Sequence, residues 1–354
     1  MRFLAALLAF GAAIGGAASA QDNSDVLYVG DAGIISNVHD DTIKRFDART
    51  GTYLGVLVQK GPLIGPMGLI VSGGLYVANQ NTNQPFPGDI LLYNAVTGAL
   101  VNPVVGHENP NAPFAPRGMV LNGGNLFVAD FNPVVGAAGR VLKYTLEGVF
   151  VEALTPPHLP PLVELHPRGV VIGPDQQLYV SNVPSIPPGL GGQVLQFDPA
   201  SRTPAKVFIS NPGNQATSGD CKSQLNRPEG LVFGPDGNLY ITSFRANAGD
   251  TDKILVFQGP RGGQPGACLG SIDLQFGEAP KAPRSFAQAL LFGPDGDLFV
   301  PITSTGTIRR YKVGGSNFPG RRLFPDFVPS KSAGAQFQPW YLTFGKTDPG
   351  TLSY

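Results

Sequence analysis

The chain has 354 residues, 25 basic against 25 acidic side chains, only 14% charged residues, and abundant Gly (47) and Pro (34). Balanced charge excludes the basic field that nucleic acid or an anionic membrane surface would need, and the chain has no good membrane anchor, which would take about 18 consecutive apolar residues. So many turn formers argue for short strands and against long helices.

The chain opens with Met1 and Arg2 and then an apolar, small-residue run, FLAALLAFGAAIGGAASA, which ends in an A-x-A-like tripeptide at Ala18 to Ala20. That pattern predicts a secretory signal peptide over 1–20, cut before Gln21, and a soluble protein that is secreted or periplasmic. Losing Arg2 with it leaves 24 basic against 25 acidic groups.

Next comes DVLYVGD (25 to 31), then DTIKRFD, a short DARTG turn and TYLGVLV. After it one strand-turn-strand pattern recurs: GPMGLIVSGGLYVAN (65 to 79), APRGMVLNGGNLFVAD (115 to 130), HPRGVVIGPDQQLYVSN (166 to 182), RPEGLVFGPDGNLYITS (227 to 243) and FAQALLFGPDGDLFVPI (286 to 302). β-Branched and aromatic residues flank a PDG or GG turn signal in each. A loop and a third strand follow each copy, DILLYN, GRVLKYT, GQVLQFD, DKILVFQ and GTIRRYK, and then a less regular fourth. The unit is a four-stranded antiparallel meander, the element of a propeller blade.

The first meander lacks its leading strand, and the orphan QPWYLTFG (338 to 345) supplies one. The chain is therefore predicted to be all-β, a six-bladed β-propeller in one domain over 21–354, closed by pairing of its C-terminal strand with the N-terminal blade. The blades run over 25–58 with 338–345, 66–105, 115–154, 166–210, 227–275 and 286–328; TDPGTLSY is left as a tail or surplus strand. Repeats of this kind override the two or more domains that about 330 residues would otherwise suggest.

Cys221 and Cys268 are the only cysteines, and an even count in an exported chain favours a disulfide over two unpaired, buried thiols. The bridge would close a loop of about 48 residues, worth about 4 kcal/mol in the chain-entropy model. Cys221 lies in the long loop entering the fifth blade, and Cys268 near the opposite end of its fourth strand. The loop would have to run down the outside of the blade.

In a meander, the turns between strands one and two and between three and four share one end; the other connections share the opposite end. The first end has tight turns only. The second gathers the long connections, among them NQNTNQPFPGD, FNPVVGAAG and NVPSIPPGLGG, with all four histidines, His39, His107, His158 and His166. Loops concentrated on one face of a rigid scaffold are the usual setting for function.

At this loop face the residue inside Pro-x-Gly, beside the central channel, varies from blade to blade: Met67, Arg117, Arg168, Glu229, Gln288 and Trp340. A second ring, at the end of the second strands, reads Asp31, Asn79, Asp130, Asn182, Ser243 and Ile302. Arg117 and Arg168 fit an anion clamp that grips a carboxylate or phosphate, with Glu229 near enough to act as a base. The competing reading is an internal Arg-Glu-Arg network that only satisfies polar groups. Gln288 completes the ligand-binding ring, and Trp340 and Met67 offer an apolar wall, unless Trp340 simply plugs the closing blade. Asp31, Asn79, Asp130 and Asn182 read either as caps on loop amides or as ligands of a divalent cation. No G-x-S-x-G, H-E-x-x-H, C-x-x-C or P-loop string is present.

LYVAN, LFVAD and LYVSN, followed by RVLKY or QVLQF, resemble the blades of NHL-repeat propellers. PRGVVIGPD and PEGLVFGPDGNLY are similar to blades of streptogramin lyases and of the SMP-30, or gluconolactonase/regucalcin, group. The resemblance spans nearly the whole mature chain. For the gluconolactonase group it implies a divalent metal held by Glu, Asn and Asp in the first ring, where only Glu229 matches in type and two arginines stand nearby. For the lyases it implies a metal ion and a histidine base on the loop face, where His39 in ISNVHDD and His166 in LHPRG occupy suitable connections.

The reading that results is a secreted, monomeric propeller whose channel mouth binds a small or extended ligand through an anionic group. One alternative is a metal-assisted lyase or hydrolase at the same mouth, with Glu229 or a loop histidine as base. Another is a protein-interaction platform on the Pro- and Phe-bearing loops such as 84–87.

Overall fold

The computed structural model describes residues 25–32, 41–59, 61–134, 137–157, 164–184, 191–210, 219–274, 284–330, 334 and 338–354. The leader expected over 1–20, His39 and His158 lie outside them. Short runs of β-branched and aromatic residues between Gly- and Asp-bearing turns form the strands. In chain order they are β1 (Val26–Asp31), β2 (Thr42–Asp47), β3 (Tyr53–Gln59), β4 (Pro66–Val71), β5 (Leu75–Asn79), β6 (Asp89–Tyr93), β7 (Leu100–Val105) and β8 (Pro116–Asn122). There follow β9 (Asn125–Asp130), β10 (Arg140–Thr145), β11 (Phe150–Ala153), β12 (Pro167–Ile172), β13 (Leu178–Asn182), β14 (Gln193–Phe197), β15 (Lys206–Ser210) and β16 (Arg227–Phe233). The last are β17 (Leu239–Phe244), β18 (Lys253–Phe257), β19 (Cys268–Asp273), β20 (Leu291–Phe292), β21 (Leu298–Ile302), β22 (Thr307–Lys312), β23 (Arg321–Val328) and β24 (Pro339–Phe344).

These strands make six four-stranded antiparallel sheets, a six-bladed β-propeller. Its first blade has the order β24-β1-β2-β3, so a strand from the C-terminal end supplies the innermost position. Leu27 faces Phe344 and Val29 faces Leu342 across that closure. Inner strands pack between neighbouring blades on both faces; β12 is buried throughout, and β8, β16 and β24 are buried but for a residue or two at their ends, Arg117, Arg227 and Trp340 among them. Outermost strands meet solvent and alternate, as in β3 and β11.

The Pro-x-Gly tripeptide is a β-bulge. Pro66 faces Asn79 while Leu69 faces Val77, so β4 carries one residue more than β5 over that step. The same slip follows Pro116, Pro167 and Pro228, and one extra residue also separates Pro339 from Tyr341 opposite Asp31 and Gly30. A bulge re-aims a side chain out of the sheet. Here that residue is the variable one.

The glycine that follows it is a close approach between blades. A Cβ on Gly118 would come within 2.9 Å of the Gly169 Cα, and one on Gly169 within 2.7 Å of the Glu229 carbonyl oxygen. The sixth blade departs from the pattern: a strand is expected from residue 286, but the ladder begins only at Leu291. Phe286 has a left-handed φ of 50°, and alanines at 287 and 289 replace the Pro and Gly, so this segment runs beside the sheet without pairing.

TDPGTLSY is neither free tail nor strand. It folds into a turn in which Leu352 N–H donates to the Asp348 carbonyl (2.7 Å), while Leu121 N–H donates to the Pro349 carbonyl (2.8 Å). Leu352 then reaches the channel axis at the tight-turn end and touches all four apolar clusters of the core. Cys221 and Cys268 are bridged, with their Cα atoms 5.8 Å apart; a 3₁₀ turn, Gly219–Cys221, lies against β19 to allow it. Among the described residues no helix is long and apolar enough to cross a membrane.

Candidate functional site

Two bulges and the unpaired sixth-blade segment bring three of the variable residues together on one side of the channel mouth. Arg117, from β8, donates through Nη1 to Glu229 Oε2 (3.2 Å) and to Gln288 Oε1 (3.1 Å), spanning the channel to the fifth and sixth blades. The other Glu229 oxygen accepts from Arg227 Nε at 3.0 Å. Glu229 is 1% exposed. Met67 and Trp340, on the far arc, belong to the apolar packing of the first two blades.

Arg168 is the exception. Its guanidinium is buried and lies 4.0 Å from the Phe131 ring centroid, and no hydrogen-bond acceptor or carboxylate pairs with it among the described residues. Arg117 approaches the same ring at 5.2 Å. Burial by itself pushes the Glu229 carboxyl up, but Arg168, Arg117 and Arg227 together hold it below the ordinary carboxylate range. Burial, and then the like charge of Arg117, push Arg168 down. Three guanidiniums therefore surround one carboxylate. With both oxygens engaged by arginines, Glu229 is placed as a counter-ion and is a poor proton acceptor.

A cavity of about 220 Å³ opens over Arg168, lined also by Phe131, Val134, His166, Val183 and Arg227. His166 is buried, with Nε2 paired to Glu164 Oε2 at 2.7 Å. His107 stands apart on the second blade, paired with Asp89 and stacked on Phe86 at 4.4 Å. Larger cavities, of about 390 and 400 Å³, adjoin the third and fourth blades beside Asp198. Asp198 spends its carboxylate on its own turn, accepting from Ala200 N–H and Arg202 N–H, so those cavities gather no comparable chemistry.

The second ring carries loops. Asp31 Oδ1 accepts from Gln338 N–H (2.7 Å), Asn79 Oδ1 from Ile64 N–H (2.6 Å), Asp130 Oδ1 from Ala115 N–H (3.0 Å) and Asn182 Oδ1 from His166 N–H (2.6 Å). Ser243 Oγ accepts from Asn226 N–H (3.1 Å). Asp31 and Asp130 are further engaged by Lys44 and Arg140. Among the described residues no three His, Cys, Asp or Glu side chains gather as a metal site would require.

Three residues of the mouth escape the sequence reading. Arg227 stands immediately before Pro228, within the repeated stretch. Tyr341 follows Trp340, at the position that is Gly68, Gly118, Gly169, Gly230 and Ala289 in the other blades. Phe131 follows Asp130, and the residues after the second ring form a third: Ala32, Gln80, Phe131, Val183, Phe244 and Thr303. Both phenylalanines in that ring carry two guanidiniums, Phe244 taking Arg227 at 5.3 Å and Arg284 at 5.1 Å.

No family model matches the chain, and no curated protein sequence matches it at a significant level. Solved structures do. A periplasmic gluconolactonase of Pseudomonas aeruginosa is 17% identical, with 90% of this chain and 98% of that one covered at a TM-score of 0.54. A putative 6-phosphogluconolactonase of Bacteroides fragilis is 16% identical over 92% of this chain and 99% of that one, with a TM-score of 0.54. The virginiamycin B lyase of Staphylococcus aureus is 16% identical over 89% of this chain and 88% of that one, with a TM-score of 0.51. The likeness is one of fold, and fold leaves the chemistry of the mouth open.

Proposed function

We propose that this chain is an exported, anion-binding propeller whose ligand seats an acidic group against Arg168 at the loop-face mouth, with Arg227 on the exposed rim. One observation carries the reading: Arg168 is a buried guanidinium with no acceptor, in a cluster whose single carboxylate is already shared by two other arginines. A buried guanidinium that shares one counter-ion with two others and has no hydrogen-bond acceptor is costly, and an arriving carboxylate or phosphate relieves that cost through charge-assisted hydrogen bonds. The leader pattern and the Cys221–Cys268 bridge support export to an oxidising compartment.

Calorimetric titration of the mature protein with organic and inorganic anions tests this. Arg168→Met should weaken anion binding about 10- to 100-fold, the range for losing a hydrogen bond to a charged group. Unchanged affinity for every anion would overturn the reading. The lyase or hydrolase alternative rests on His166, held by Glu164 at the cavity wall. It requires that the protein turn over an ester or lactone of the bound acid when one is supplied in place of the anion.

A further inference from the structure

Tyr341 is the one large side chain in the channel's ring of small residues. Four glycines and Ala289 hold the equivalent positions, and three of those glycines directly follow Arg117, Arg168 and Glu229. Tyr341 itself is 8% exposed, its ring packs in the core, and its hydroxyl is buried without a hydrogen-bond partner among the described residues. Arg117 Nε and Arg168 Nε are likewise buried and unpartnered. Orphan donors thus come from the first, third and fourth blades. Other buried groups of this protein lack a partner too, the Tyr93 and Tyr311 hydroxyls among them, but these three stand together around the Glu229 carboxylate.

The charges narrow what the acceptor is. Inside the channel Arg117 and Arg168 face Glu229, which leaves a single positive charge unmatched. Arg227 adds a second, but its side chain is 48% exposed and water screens it. One negative charge therefore neutralises the interior, and a dianion would bury a charge of its own. Above Arg168, Phe131, Val134 and Val183 give the 220 Å³ cavity an apolar wall. It holds roughly seven water volumes and is smaller than the ~300–1,000 Å³ of drug-sized sites.

We infer that the ligand is a small monocarboxylic acid with an apolar body, and that Tyr341 donates a hydrogen bond to its carboxylate inside the channel. This rests on the proposed anion site and adds the ligand class and a specificity residue. Burial pushes the Tyr341 hydroxyl well above the usual phenol range, so it remains a donor at neutral pH. Hydrogen bonds to a carboxylate from a neutral phenol and a guanidinium need no further charge.

The test is calorimetry on the mature wild-type protein and Tyr341→Phe, with benzoate, hexanoate, phenyl phosphate and inorganic phosphate at pH 8, where the phosphates are dianions. The wild type should bind benzoate or hexanoate at least about tenfold more tightly than either phosphate. Tyr341→Phe should lose about tenfold in carboxylate affinity, as expected for a bond to a charged group. Its thermal midpoint should be unchanged or higher, since only an unpartnered oxygen is removed. Phosphates binding as well as carboxylates, or Tyr341→Phe binding carboxylates as the wild type does, would overturn the inference and leave the anion site standing. If no anion binds to the wild type, the proposed function itself fails, and the inference with it.

Discussion

The two ends of the channel are made by the same inner strands and satisfied in opposite ways. At the tight-turn end Leu352 closes the axis with apolar contacts, and the tail's hydrogen bonds run to itself, to the end of β24 and to Leu121. At the loop end three arginines share one carboxylate, and buried donors on Arg117, Arg168 and Tyr341 have no hydrogen-bond partner among the described residues. Repetition fixes where a residue stands in the ring, while the identity of that residue decides whether the position is self-sufficient. The turn end is complete as folded. The loop end keeps buried donors without acceptors among the described residues.

The largest expected effect breaks the loop end. Glu229→Ala leaves the arginines without their shared counter-ion and should cost about 3–5 kcal/mol in urea unfolding, the range for removing one member of a buried ion pair. A cost below about 1 kcal/mol would mean that water already balances those charges. Leu352→Ala, at the other end, should cost about 2 kcal/mol, the low end for leucine truncation because the side chain is only partly buried. It should leave anion affinity untouched; a change in affinity would show that the two ends are coupled. The smallest effect is the most diagnostic: Arg168→Met should raise stability by about 1 kcal/mol, because burial and Arg117 disfavour this charge more than Glu229 favours it. A loss of stability in that variant would make Arg168 a structural residue and the two ends alike.

The blades were legible because each copy restates the same pattern. LYVAN, LFVAD and LYVSN alternate in the same register before the same loop, and the missing first strand had an obvious match in QPWYLTFG. The ring of Arg117, Arg168 and Glu229 was legible for the same reason, as the variable position inside a constant frame. Which acceptor each arginine takes was not, since that depends on the reach of long side chains across the channel. Arg227 takes a Glu229 oxygen that Arg168 was in a position to claim. Tyr341 stayed hidden because the bulge assigns Trp340 to the mouth, and only the equivalence of residue 341 with the channel glycines shows its inward place. Leu352 has no counterpart in any repeat, so periodicity carried no information about it. The late start of β20 turns on the left-handed backbone at Phe286, a residue type that gives no warning of it.

Closure of the ring by β24 also sets an order of events during synthesis. Blades two to six pair strands made shortly after one another, so each can form once its own segment has emerged. The first blade cannot. β1 is among the earliest strands made, yet its inner neighbour Pro339–Phe344 arrives some three hundred residues later, and Leu352 later still. Throughout that interval β1 presents an open, apolar edge to any other strand nearby, including those of a second nascent copy.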